Sequence, residues 1–97
     1  MGQERIDELN RIFAAAPFIV DLGIEPVSAA DGACVTRLDL QPRHLQQDGF
    51  VHAGVQATMA DHTAGAAAAT LAREGTVVLT AEFTIHLLRA ARGRQLE

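Results

Sequence analysis

The sequence predicts an α+β domain in which an antiparallel sheet wraps around one long central helix. Three observations predict it. Residues 44–71 (HLQQDGFVHAGVQATMADHTAGAAAATL) are a polar, glycine-marked loop running directly into a long apolar stretch of small residues. Ahead of it, two short stretches flank Asp31-Gly32, a strong hairpin signal because both residues tolerate positive φ. Behind it, residues 76–88 are rich in β-branched and apolar side chains.

Taken in order, residues 3–16 read as an amphipathic helix. Ile6, Leu9, Ile12 (or Phe13) and Ala16 fall at helical spacing, with Glu4, Arg5, Asp7, Glu8 and Arg11 opposite. Pro17 is a stop signal, and Phe18, Ile19, Val20 and Leu22 form a short apolar link to Gly23. Strands follow over 24–30 and 33–40. In the second, Cys34, Thr36, Leu38 and Leu40 point one way and Val35, Arg37 and Asp39 the other. Pro42 closes it. The central helix is predicted over 53–73, spanning about 30 Å and ended by Gly75. Its small residues Ala57, Ala60, Ala64, Gly65, Ala67 and Ala68 would let the sheet approach closely. A third strand is predicted over 76–88, with Thr80, Glu82, Thr84 and His86 alternating against Ala81, Phe83 and Ile85. The tail, RAARGRQLE, is basic.

The totals narrow the function classes. The 97 residues make a single domain over 1–97, and 48% hydrophobic content argues against disorder. Much of that content is alanine, with no Trp or Tyr and four Phe, so the core is thin and a partner chain is expected. A formal charge of -4 without a basic stripe argues against nucleic acid. One cysteine, Cys34, forms no internal disulfide and fits a reducing, cytoplasmic setting. No signal peptide and no run long enough to span a membrane is visible.

The chemistry centres on Asp61, the only acid between Gly49 and Ala72, where no Lys or Arg occurs. A solvated acid on a helix face is the bland reading. Its helix neighbours Ala57, Ala60, Ala64 and Gly65 are all small and non-ionising, which favours function. A carboxylate in a partly dry site gains proton affinity and can act as general base or nucleophile. The helix start at Ala53 offers unpaired N–H groups to a developing oxyanion, although every helix has this feature. Gly49 and Gly54 would allow close backbone approach to a ligand, but a turn explains Gly49 equally well. Ala53 and Asp61 are eight positions apart, about 12 Å along one helix, so one chain cannot easily serve one carbonyl with both. Two chains with antiparallel helices can. His44, His52, His62 and His86 lack the i, i+4 spacing of a helical zinc pair, so no metal is expected. His52 is placed to hydrogen-bond in the loop. His62 points about 100° away from Asp61, toward packing or a partner.

His44, Gln46, Gly49, His52, Ala53 and Gly54, with Asp61 nine residues after His52, form a pattern that resembles the PaaI-type acyl-CoA thioesterases of the hot dog fold superfamily. Their motif is approximately H-x-N-x-x-G-x-x-H-G-G with an Asp in the following helix. The resemblance implies that Asp61 delivers water to the thioester as base or nucleophile. It implies that the Ala53 N–H polarises the thioester carbonyl and that Gln46 orients the carbonyl or the water. His52 would support the loop, and the Thr80 hydroxyl would help hold the water. His44 joins Gly49 and Gly54 as a substrate-contacting position. It also implies an acyl-CoA substrate with an aryl or medium-chain acyl group, no cofactor, and a homodimer or homotetramer.

The sequence departs from the family pattern in three ways. Gln stands for Asn at 46, and Ala for Gly at 53, changes that bear on substrate and rate. The family's chain continues past the position of Glu97 with further antiparallel strands. The expectation is therefore a sheet of about three strands with an open edge, in a truncated form or completed by a neighbouring chain. The rival function is a catalytically silent acyl-CoA-binding or assembly module. The dehydratase or hydratase branch of the fold fits less well, because its His/Asp pattern differs from this loop.

Overall fold

A computed structural model describes residues 3–97, with side chains from Leu9 onward. In chain order it comprises α1 (Gln3–Ala14), α2 (Pro17–Leu22), β1 (Glu25–Ala30), β2 (Ala33–Asp39), a 3-10 turn (Pro42–His44), α3 (Ala53–Ala69) and β3 (Gln95–Leu96). The sheet order is β1-β2-β3, and both pairings are antiparallel.

On α1, Phe13 is buried and Ile12 is half exposed, so the apolar stripe runs through Phe13. Leu9 and Ala16 pack against the same core. Ile6 and the charged positions 4, 5, 7 and 8 lie outside the residues whose side chains are described. α1 ends at Ala14, ahead of Pro17, and Pro17 also starts a second helix. It occupies the first turn of α2, where its missing N–H costs no hydrogen bond and its fixed φ suits a helix. The expected apolar link is thus a short helix, closed by Gly23 at φ 91. It buries Ile19.

The hairpin forms as its turn chemistry predicts, with Asp31 at φ 51 and Gly32 at φ 83. A bulge between Pro26 and Ser28 leaves Val27 exposed, and a proline without a donor is tolerated there. Thr36 and Leu38 are buried, and Val35, Arg37 and Asp39 face outward. The turn docks on the far end of α3. The Gly32 amide donates to Thr70 Oγ1 at 2.7 Å, and a Cβ at Gly32 would meet Leu71 at 3.0 Å.

α3 seats one stripe on the sheet. Val55 and Met59, one turn apart, join Phe13, Ile19, Ile24, Leu38 and Val51 in the core. One turn further, the Thr63 hydroxyl donates to the Met59 carbonyl at 2.6 Å and meets Thr36 Oγ1 at 2.7 Å. The helix is shorter than its composition suggests. It ends at Ala69, capped by Thr70, which turns its hydroxyl back onto the Ala67 carbonyl.

Two expectations are corrected. The small-residue face of α3 is not covered by the sheet: Ala60 and Ala64 are exposed and, with Ala67, border a cavity of about 800 Å³ beneath β2, Ile85 and Leu96. Residues 76–88 also form no strand. Their sequence suits one, but no backbone hydrogen bond links 77–88 to another element among the described residues. Leu79 and Leu88 are 85% and 93% exposed. A strand exists only when a neighbour supplies the other half of its ladder. Among the described residues, the edge of β2 away from β1 is paired only at Leu38 and Asp39, with β3.

Candidate functional site

The loop ahead of α3 is built around His44, whose residue is 0% exposed. Its Nδ1 accepts from the Gln41 amide at 3.0 Å, which leaves Nε2–H to donate to the Leu22 carbonyl at 2.7 Å. Both ring nitrogens are used inside the protein. His44 is therefore an anchor and not a substrate-contacting residue, because a ring with no free edge presents nothing to a ligand. Arg43 reinforces the anchor, donating to the carbonyls of Asp21 and Leu22. Thus α2 is the mooring of the loop, a role that sequence reasoning missed. The signal available for it was an Arg-His pair directly after Pro42.

Gln46 shapes the next turn. Its Oε1 accepts from the backbone N–H groups of Asp48 (2.5 Å) and Phe50 (3.2 Å), and its own backbone N–H donates to the Phe50 carbonyl at 2.8 Å. Because backbone N–H groups claim the side-chain oxygen, the orientation of the amide is determined. Its NH2 has no partner among the described residues. Gly49, at φ 86, closes this turn with nothing within 4 Å of a Cβ. The turn alone accounts for that glycine.

His52 caps α3. Its backbone N–H donates to the His44 carbonyl at 2.9 Å, and its Nδ1 accepts from the Gly54 amide at 2.8 Å. A Cβ on Gly54 would stand 3.0 Å from that nitrogen, so Gly54 is needed by the cap before any ligand is considered. The cap satisfies Gly54 and leaves the Ala53 N–H without a partner among the described residues, exposed at the positive end of the helix.

Asp61 lies half-buried two turns along the same unbroken helix. Thr80, from the 76–88 stretch, donates its hydroxyl to Asp61 Oδ1 at 2.6 Å. The structure thus brings Asp61 and Thr80 together, and groups Gln46, His52 and Ala53 at the helix start. The two groups stay about 12 Å apart along α3. The neighbouring His62 turns toward α1, its ring meeting Phe13 edge to face at 4.4 Å between centroids. Its Nε2 is buried without a partner among the described residues. Burial pushes the His62 pKa below its ordinary value, and the Asp61 charge opposes this in part. Among the described residues, no group of three or more His, Cys, Asp or Glu could hold a metal ion, and no helix is long and apolar enough to cross a membrane.

A family model for the thioesterase superfamily matches residues 48–96, from the Gln46 turn through α3 to β3. A thioesterase family protein from Silicibacter pomeroyi superposes with a TM-score of 0.86 at 31% identity, over 92% of this chain. The chain belongs to the thioesterase superfamily. A conserved protein from Pseudomonas aeruginosa is also similar, with a TM-score of 0.75 at 26% identity over 82% of this chain. This thioesterase-superfamily chain spans 65% and 64% of the lengths of those two structures, respectively. Nothing matches it among curated proteins. Its α+β architecture, an antiparallel sheet with one long helix, is that of the hot dog fold.

Proposed function

We propose that this protein is an acyl-CoA thioesterase of the PaaI type, hydrolysing an aryl- or medium-chain acyl-CoA to the free acid and CoA. The hydrogen bond from Thr80 to Asp61 carries this reading. A carboxylate with one oxygen held by a hydroxyl has its other oxygen free and aimed, which is what a general base or nucleophile requires. As base, Asp61 takes a proton from water while the water oxygen bonds to the thioester carbon. The carbonyl charge that develops is stabilised by N–H donors, for which the Ala53 amide and the Gln46 NH2 are available. When the C–S bond breaks, the proton passes to the leaving thiolate.

Both halves of this chemistry lie on one helix, about 12 Å apart, so the active unit is a homodimer or homotetramer in which Ala53 of one subunit faces Asp61 of another. The exposed apolar side chains of Val77, Leu79, Phe83 and Leu88, on backbone without a ladder partner among the described residues, favour such an assembly. The reading needs no cofactor and places the enzyme in the cytoplasm.

Free-thiol release from aryl- and fatty-acyl-CoAs tests it, on wild type and Asp61→Asn protein of matched oligomeric state, with Cys34 subtracted. Loss of turnover by at least about 100-fold in the variant is expected. Equal turnover would end the assignment. Mixing Asp61→Asn with Ala53→Pro subunits should restore activity through hybrid sites, and exchange without rescue would exclude the shared geometry.

A further inference from the structure

We infer that His62 is a positioning residue of the site, an acid-sensitive clamp that keeps Asp61 on Thr80 while its ring is neutral and releases it when the ring gains a proton. The inference rests on the hydrolase reading above and adds its regulation. Consecutive residues on a helix point about 100° apart, so Asp61 and His62 face different elements. Asp61 Oδ1 accepts from Thr80, on the 76–88 stretch, and the His62 ring meets Phe13, on α1, at 82° between ring planes. A turn of α3 about its own axis that moves one of these side chains moves the other.

α3 needs such a hold at this point. Its buried residues are Val55 and Met59, both ahead of the acid. Beyond Met59, Ala60 and Ala64 border the cavity, and the Thr63 hydroxyl meets the sheet at Thr36. His62 supplies the contact with α1, on Phe13, which is 3% exposed and part of the core. An edge-to-face aromatic pair has a preferred geometry, so it fixes rotation as well as distance.

The surroundings of the ring make the clamp sensitive to acid. Nε2 is buried without a partner among the described residues. A neutral imidazole can leave one nitrogen unpaired, whereas an imidazolium must place two N–H donors and a charge. The charged neighbour on α3 is Asp61. On α1, Arg11 is the charged residue among those whose side chains are described, and it is exposed. Glu25, the acid of β1, is paired with Arg37 at 3.2 Å. Burial outweighs the Asp61 charge, so the ring takes up a proton less readily than an ordinary histidine. Once protonated, it is drawn from Phe13 toward water or toward the Asp61 carboxylate. Either course ends the hold on α1, and a cation beside Asp61 also opposes proton transfer to it.

The test follows thioester hydrolysis from about pH 8 to about pH 5 in wild type, His62→Phe and His62→Gln. NMR of the His62 ring and of the Thr80 methyl group accompanies it, and urea midpoints at each pH establish that the proteins remain folded. In wild type, kcat should fall at least about threefold at the midpoint of the ring's titration, and the Thr80 signal should move with it. Either variant, as long as it folds, should lose that break. A Thr80 signal that follows the ring in wild type, without turnover of any thioester, would uphold the clamp while removing the hydrolase reading. Turnover with the same pH profile in wild type and variants would overturn the clamp and leave hydrolysis standing. A ring that titrates without moving the Thr80 signal, or that stays neutral down to about pH 5, would likewise overturn it.

Discussion

The Thr80 hydroxyl donates to Asp61 Oδ1 at 2.6 Å across nineteen positions of sequence. It ties a stretch that has no sheet partner among the described residues to the one acid of the central helix. Removing the hydroxyl with Thr80→Val frees the carboxylate to rotate and should lower kcat about tenfold by the loss of positioning. Thr80→Ser keeps the donor and should recover most of the rate. Steady-state thioester hydrolysis by the two variants checks this, and equal rates would show the contact to be idle.

Gln46 has two separable jobs, since its oxygen folds the loop and its NH2 is free. Gln46→Glu retains an acceptor for the Asp48 and Phe50 amides but removes the donor. Thermal stability should hold while kcat/KM falls about 100-fold, the usual cost of one oxyanion donor. A variant that melts early would show that the fold of the loop was lost instead.

His44 supports the fold and not the ligand. His44→Phe keeps the ring but leaves the Gln41 amide without its partner and takes one of two donors from the Leu22 carbonyl, which Arg43 still reaches. Urea unfolding should show a loss of about 1–3 kcal/mol, the cost of one orphaned donor and one weakened acceptor. No change in midpoint would contradict the anchor role.

His62 makes stability depend on pH. Its folded pKa lies below the ordinary 6.5 because burial disfavours the charged ring. The unfolded chain therefore takes up the proton first as pH falls. The contribution is fully present above about pH 6.5, and it is lost as pH drops from there through the folded value. Urea midpoints measured across that window should decline in wild type and decline less in His62→Phe. Parallel curves would remove His62 as the cause.

The legible parts of this protein were those that neighbours in sequence decide. Asp31-Gly32 specified its hairpin because positive φ is a property of the two residues themselves. Cys34 to Leu40 declared their faces by alternation, and the apolar run after His52 declared a helix. The end of that helix was missed because Thr70, bonding both Ala67 and the distant Gly32, closes it before Gly75. Pro17 was half legible, since the feature that stops one helix also starts another. In the site, Asp61 and the helix start stood out from sequence. The anchoring role of His44 did not, because it depends on Leu22, twenty-two positions away.

By itself the sequence determined the Asp31-Gly32 hairpin and the helix after His52, and that one acid would sit alone on a helix of small residues. Those are outcomes of local backbone preference and of periodicity. Only the tertiary structure decided that residues 76–88 join no ladder among the described residues, that the small-residue face of α3 borders a cavity, and that Thr80 reaches Asp61. Each of these depends on which distant segment arrives alongside. A strand, a buried face and a hydrogen-bonded carboxylate are all properties of pairs, and a linear pattern carries only one member of each.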